Sequence, residues 1–267
     1  MTRIFHPEEL SHSKNIIGTE VALSAEASHH LCTVLRMIPG DPLVIFCNDG
    51  QDYHATLSHA HKKNSRVVVQ QVTPNLTESP VYFHLVQGVC RGEKMDWIIQ
   101  KAVELGVNEI TPVISERTQG NKSLKDAELL AKKNQHYQQI IISACEQSGR
   151  SRVPLLNPTL KFEDFMTLAK NSLDKENAPS KIILSPPLAN QSHFTLKNLP
   201  PTLSTRSTNE KPELIFIVGP EGGLTDQEIL QAVEASYAPL SLGPRILRTE
   251  TAALAFIAAI QGMIGDF

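Results

Sequence analysis

The sequence is poor in several features that would have narrowed its chemistry at once. It has only four cysteines, Cys32, Cys47, Cys90 and Cys145, and no C-x-x-C pair. That excludes a disulfide framework and a zinc site built on such a pair, and it points to reduced thiols in the cytosol. No stretch of about 18 apolar residues occurs, so no membrane-spanning helix is expected. The opening MTRIFHPEELSHSK carries no apolar h-region, so no secretory signal is expected either. The formal net charge is -3. Overall basicity therefore says nothing of nucleic acid, and any such contact must come from local patches. The single tryptophan, Trp97, and the tyrosines Tyr53, Tyr82, Tyr137 and Tyr237 form no stripe for stacking bases. Both G-x-x-x-x-G-K-[ST] and a G-x-G-x-x-G with a distant acid are missing, which argues against a phosphate cradle.

What remains is a chain of 267 residues, 41% hydrophobic and 20% charged. It is long enough for two domains with a sizeable core. From Met1 to about Val72 it reads as short strands, Glu20–Leu23, Pro42–Cys47, Tyr53–Ser58 and Arg66–Gln71, with turns at Pro39-Gly40-Asp41 and Asn48-Asp49-Gly50. Residues Ser28 to Met37 predict one short helix. This combination predicts a small β-barrel. TPNLTESP, Thr73–Pro80, is a polar linker.

Beyond it the pattern changes. Strands are predicted at Val81–Gln87, Glu109–Ile114, Lys181–Ser185, Leu214–Val218 and Pro239–Leu242. Helices are predicted at Glu93–Leu105 and Lys125–Gln147. Alternating strands and helices indicate an α/β domain with a largely parallel sheet. Pro186–Pro212, rich in proline and small polar residues, is expected to be a surface excursion of that sheet.

Two stretches carry the chemistry. IFIVGPEGGLTDQE, Ile215–Glu228, stops an apolar strand at Gly219-Pro220-Glu221-Gly222-Gly223. Ligands of open α/β sheets sit beyond the carboxyl ends of the strands, and glycine allows close backbone approach. Thr225 with Glu228 spells a capping box, so a tight β-α connection with a good cap is the alternative reading. The carboxylate in the turn suits a neutral or cationic ligand better than an anion. LSLGPRILRTETAALAFIAAIQGMI, Leu240–Ile264, ends a second strand at Gly243-Pro244. It then opens a helix that is apolar almost all round, destined for the core or a subunit interface.

GPEGGL at Gly219–Leu224 and LGPRILRTETA at Leu242–Ala252 resemble the signature of the ribosomal small-subunit methyltransferase E family. The resemblance extends to RIFHP at Arg3–Pro7, HHLCTVLRM at His29–Met37, RGEKMDWIIQKAVELGV at Arg91–Val107, SERT at Ser115–Thr118 and ACEQSGR at Ala144–Arg150. It implies S-adenosylmethionine-dependent methylation of N3 of one uridine in 16S ribosomal RNA. It also implies an α/β fold, a C-terminal SPOUT trefoil-knot methyltransferase domain over residues 79–267 preceded by a small PUA-like β-barrel, an RNA-binding domain, over residues 1–73. A cytoplasmic homodimer acting on 16S rRNA or the small ribosomal subunit is implied too, with no metal. Methylation of another RNA base, or non-catalytic RNA binding on the ribosome, are the other functions open to such a chain.

The resemblance implies cofactor contacts at Leu184, Ser185, Gly219, Pro220, Gly223, Leu242, Gly243, Ile246, Leu247 and Thr251. Beside them Arg248 is assigned to stabilise the uracil anion and Glu250 to assist loss of the N3 proton. The alternative is that Glu250 caps the helix and Arg248 pairs with it. Local positive charge for RNA is expected from Arg3, Arg36, Arg91, Lys94, Arg117 and Arg150, with His29, His30, Lys101, Lys122 and Arg152 nearby. His59-Ala60-His61 is read as a polar turn and Cys145 as a buried structural thiol.

Overall fold

The computed structural model describes residues 1–10, 16–119, 126–170, 179–186, 194–199 and 211–267. By contact the chain divides into two compact units. One comprises Met1–Glu78 together with Ile142–Val153, the other Ser79–Ile141 and Pro154–Phe267.

The first unit is built on β1 (Thr2–Phe5), β2 (Glu20–Ala22), β3 (Pro42–Phe46), β4 (Gln51–His59) and β5 (Arg66–Pro74), in the order β1-β3-β4-β5-β2. The β1-β3 pair is parallel and the rest are antiparallel. The predicted turns are present because the residues there accept left-handed backbone: φ is +101° at Gly40, +67° at Asn48 and +81° at Gly50. Alternation sends Leu43, Ile45, Tyr53, Ala55, Leu57, Val67 and Val69 into one core. The helix expected over Ser28–Met37 starts earlier, as α1 (Ala25–His29), because Ser24 Oγ accepts the Ala27 N–H at 3.1 Å and caps it. A π-helical turn follows at His30–Val34.

At one end of this sheet Asp52 is the centre of a buried polar network. Arg3 donates to it twice, at 2.8 and 2.9 Å, and Ser151 Oγ and Asn75 Nδ2 donate as well. Burial pushes the Asp52 carboxyl up, but these donors outweigh it and hold it below the ordinary carboxylate range. Arg150 pairs with Glu78 at 2.6 Å, and its side chain is only 3% exposed. Arg3 and Arg150, expected to face RNA, are thus committed to internal ion pairs. Removing either would strand a buried carboxylate.

The second unit contains β6 (Tyr82–Gly88), α2 (Glu93–Glu104), β7 (Glu109–Ile114), α3 (Ala127–Ser148), β8 (Leu155–Leu156), β9 (Leu160–Lys161) and α4 (Phe162–Lys170). After these come β10 (Ser180–Leu184), β11 (Phe194–Thr195), β12 (Glu213–Val218), α5 (Asp226–Glu234), β13 (Ala238–Ser241) and α6 (Thr249–Ile264). The last residues of α3 belong by contact to the first unit. The sheet runs β11-β13-β10-β12-β6-β7-β8, with β9 also on β7, and every pair is parallel. Its central strands are largely buried on both faces, with apolar residues in mostly consecutive positions and the polar His84, Gln87 and Lys181 buried among them. Because β13, β10 and β12 lie side by side and parallel, their carboxyl ends share one edge. The segments after Leu184, Val218 and Ser241 therefore start next to one another. Helix α6 packs on α2 and β12, burying Ala253, Phe256, Ile257 and Ile260. Most of the expected excursion Pro186–Pro212, and Lys122 with it, lies outside the described residues.

His84 on β6 is buried, with Nε2 2.7 Å from Thr111 Oγ1. Burial depresses its pKa, against a weaker upward pull from Glu109, and burial depresses that of His6 likewise. Both imidazoles take up protons more readily in the unfolded chain, whose histidines titrate near pH 6.5. The stability they contribute is present above that pH and is lost as pH falls through their lower folded values. The urea midpoint is expected to drop between pH 7 and 5, and His84→Gln to flatten that slope.

Candidate functional site

The turn after β12 is shaped first by its own packing. Gly88, ending β6, lies so close that a Cβ there would stand 2.4 Å from Pro220 N, a backbone atom that cannot step aside. Gly219 is crowded by Gly223 and Leu224 of the same loop, and Gly222 by Arg117. Gly223 has φ +70°, and its N–H closes the turn on Pro220 O at 2.8 Å. A Cβ at Gly223 or Gly243 would point into open space, so these two positions leave room beside the main chain.

The turn is then fastened from three directions. Thr249, opening α6, donates its hydroxyl to Gly219 O at 2.6 Å and accepts from Gln87 Nε2 at 3.0 Å. The capping box of α5 is present: Thr225 Oγ1 accepts the Glu228 N–H, and Glu228 Oε2 accepts the Thr225 N–H at 2.8 Å. Glu228 Oε1 also accepts the Glu116 N–H at 2.8 Å, which brings the SERT segment alongside. There Arg117 donates to Gly222 O and Leu224 O. From the third side, Glu221 Oε1 accepts the Arg91 N–H at 3.0 Å and faces Lys94 Nζ at 3.7 Å. Burial pushes the Glu221 carboxyl up. The Arg91 and Glu221 N–H groups and Lys94 together outweigh that and hold it below its ordinary range, so it is ionised at neutral pH.

The three strand ends enclose a cavity of about 540 Å³. Of the residues expected at a cofactor, Leu184, Ser185, Gly219, Pro220, Gly223, Leu242, Gly243, Ile246 and Leu247 all line it. Thr251 does not. It sits two positions into the helix after Thr249, on the exposed side, because residues two apart on a helix do not share a face. Arg248 and Glu250 line the cavity together with Lys94 and Arg117. Arg248 is the N-cap residue of α6 but makes no side-chain cap bond. Glu250 Oε2 is buried without a hydrogen-bond partner, as is Glu221 Oε2. The main-chain groups of Arg245, Ile246 and Leu247 find no main-chain partner among the described residues. A ligand offering hydrogen-bond donors and positive charge would satisfy such a wall; a free anion would not.

Arg91, Lys94 and Arg117 are exposed around this unit's site, and Arg36 is exposed in the first unit, with a left-handed φ of +55°. Gln87 and Thr249 carry the tie between β6, β12 and α6, yet their roles were not apparent from sequence, since each depends on partners far along the chain. Burial pushes the Cys145 thiol up to about 12, which leaves it no nucleophilic thiolate. The rings of His59 and His61 stack, and no group of metal ligands is present among the described residues.

The RNA methyltransferase domain family matches residues 77–261, and the RNA methyltransferase PUA domain matches residues 23–70. The ribosomal RNA small subunit methyltransferase E of Buchnera aphidicola (from Schizaphis graminum) is 34% identical over 94% of this chain and 93% of its own length. A methyltransferase of Legionella pneumophila, solved in complex with bound S-adenosylmethionine, superposes with a TM-score of 0.84 at 36% identity, over 100% of this chain and 99% of its own. The ribosomal RNA small subunit methyltransferase E of Neisseria gonorrhoeae, also solved bound to S-adenosylmethionine, gives a TM-score of 0.81 at 35% identity over 100% and 99%. The α/β unit thus has the fold of these RNA methyltransferases, and the unit before it is PUA-like.

Thr249→Val keeps the volume and β-branching of the side chain but removes the hydroxyl, leaving Gly219 O only a long contact from Gln87 Nε2 at 3.5 Å and Gln87 one acceptor fewer. It is expected to lower unfolding stability by about 1–3 kcal/mol in a denaturant titration. Thr249→Ser, which keeps the hydroxyl, should recover most of the loss.

Proposed function

We propose that this chain, which belongs to the ribosomal RNA small subunit methyltransferase E family, methylates N3 of a uridine in 16S rRNA with S-adenosylmethionine as donor. The observation that supports this reading most directly is the convergence of three strand-end loops on a cavity whose lining includes much main chain and the carboxylate residues Glu221 and Glu250. That wall fits a nucleoside carrying a positive charge. Leu184, Gly219, Gly223, Leu242, Gly243 and Leu247 would hold it, largely through main-chain groups. When bound, S-adenosylmethionine supplies an electrophilic methyl group on a sulfonium.

The chain's own residues have two further tasks. The N3–H of uracil lies on the pairing edge and is weakly acidic, so the base must be unpaired and must lose that proton. Glu250, which lines the cavity and has a buried oxygen without a hydrogen-bond partner, would take it. Arg248, the N-cap residue of α6 with no side-chain cap bond, would hold the negative charge that then spreads onto the uracil oxygens. The remaining catalytic contribution is alignment in a site from which water is displaced.

RNA is held outside the cavity. Arg91, Lys94 and Arg117 would meet phosphates near the methyltransferase domain, residues 79–267, and Arg36 would do so on the PUA-like domain, residues 1–73. We assign a homodimer as the working form, since Met263 and Ile264 of α6 and Trp97 of the neighbouring α2 are exposed apolar side chains that a second copy would cover.

Glu250→Gln is expected to slow single-turnover methylation by about 10²–10⁴-fold, the range of a lost general base, with donor affinity unchanged in calorimetry. Unchanged turnover would remove Glu250 from that role. Mass mapping of 16S rRNA from a deletion strain, with and without the gene restored, should show one N3-methyluridine that depends on it. A methyl group on another base would overturn the uridine assignment, and none at all the enzymatic one.

A further inference from the structure

Resting on that reading, a property of the donor pocket follows from one residue that the proposed chemistry does not use. Glu221 lies in the turn itself, between the glycines. One of its oxygens is committed to the Arg91 N–H and to Lys94. The other is buried and has no hydrogen-bond partner, in a residue that lines the cavity. A carboxylate with one oxygen unpaired is left under-compensated and favours a ligand that brings positive charge.

The cations around the cavity do not cancel it. Arg117 is exposed, and one of its guanidinium nitrogens is bonded to the carbonyls of Gly222 and Leu224. Arg245 and Arg248 are exposed at the mouth, where water and salt screen them. Lys94 is 44% exposed, against 18% for the Glu221 side chain, so the carboxylate is the less screened member of that pair. The thiol of Cys90 shows the same field from the other side. Its pKa is pushed up to about 12, chiefly by burial, with Glu221 the next contributor and Glu250 adding to it.

We propose that Glu221 makes this pocket a sensor of the donor's charge, so that it retains the sulfonium before transfer and releases the neutral thioether after it. In the reaction the uridine N3–carbon bond forms as the carbon–sulfur bond breaks. The bonding pair stays on sulfur, and the N3 proton leaves to the base. The nucleoside in the pocket therefore loses one positive charge while keeping nearly all of its shape. The largest difference between the two is electrostatic, and the Glu221 carboxylate, on a residue lining the cavity, is the group that can read it. Product release is then driven by the chemistry and needs no large movement of the turn.

Isothermal titration of the full-length protein with S-adenosylmethionine and S-adenosylhomocysteine, without RNA, tests this. The wild type is expected to bind the charged nucleoside at least about tenfold more tightly, a difference near 1.4 kcal/mol. Glu221→Gln, which keeps an oxygen for the Arg91 N–H, is expected to bring the two affinities within about twofold. An analogue with a protonated amine in place of the methylsulfonium should follow the charged ligand in both proteins. A thermal melt of the variant checks that the turn is intact. Equal affinities in the wild type, or a ratio that survives in a folded Glu221→Gln, would overturn the inference and leave the methyltransferase reading standing. Binding of none of the three ligands would overturn both.

Discussion

A single hydroxyl holds the pocket together. Thr249 joins the first turn of α6 to the carbonyl of Gly219, while Gln87 reaches it from the end of β6. Three elements that are far apart in sequence are tied at one oxygen. The tie is possible only because Gly88 lets the Pro220 backbone come into direct contact with β6. Glycine in this region therefore has two separate uses. At Gly88, Gly219 and Gly222 it removes atoms that would collide with the protein itself. At Gly223 and Gly243 it permits positive φ and leaves space beside the chain. The cost of ending a buried strand in such a loop is offset by the number of partners the loop gains.

Carboxylates do most of that fastening. Glu228 satisfies the N-terminus of its own helix and the Glu116 N–H with its two oxygens. Glu221 pins the turn to the start of α2 with one oxygen only. The contrast is informative, because a purely structural carboxylate spends both oxygens on the protein, as Glu228 does. One that keeps an oxygen free in a buried wall is held ready for something else. Glu250, which also lines the cavity, likewise has a buried oxygen without a partner.

Much of this was legible in the sequence, and what was not shares a physical cause. Strand Glu109–Ile114 and helix α2 declare themselves through period, the barrel turns through Gly and Asn, and the α5 start through Thr225 and Glu228, all signals contained within a few residues. The edge strand β1 spans only four residues. Helix α4 buries only Phe162, Phe165 and Met166 among its nine residues, and neither element announces itself. Arg3 and Arg150 read as surface charge, since nothing near them in sequence reveals Asp52 or Glu78. Thr249 looked like one more residue of a polar helix start, its acceptor lying 30 positions away. Local signals reached the elements and the loops; pairings across long sequence separations required the folded chain.

The polar network around Asp52 bears on how the N-terminal unit could be handled by itself. Ser151, one of the donors to Asp52, comes from the segment Ile142–Val153, separated from the strands by the whole first portion of the other unit, Ser79–Ile141, and Gly149 O of that segment accepts from Asn75 Nδ2. The barrel is therefore not a cassette that can be cut out after its last strand. A fragment ending there would lack Ser151 and Gly149 and would be left with polar groups facing nothing. Grafting it onto another protein would mean transplanting the short distal piece as well, or rewriting residues 3, 52 and 75 so that they no longer ask for it.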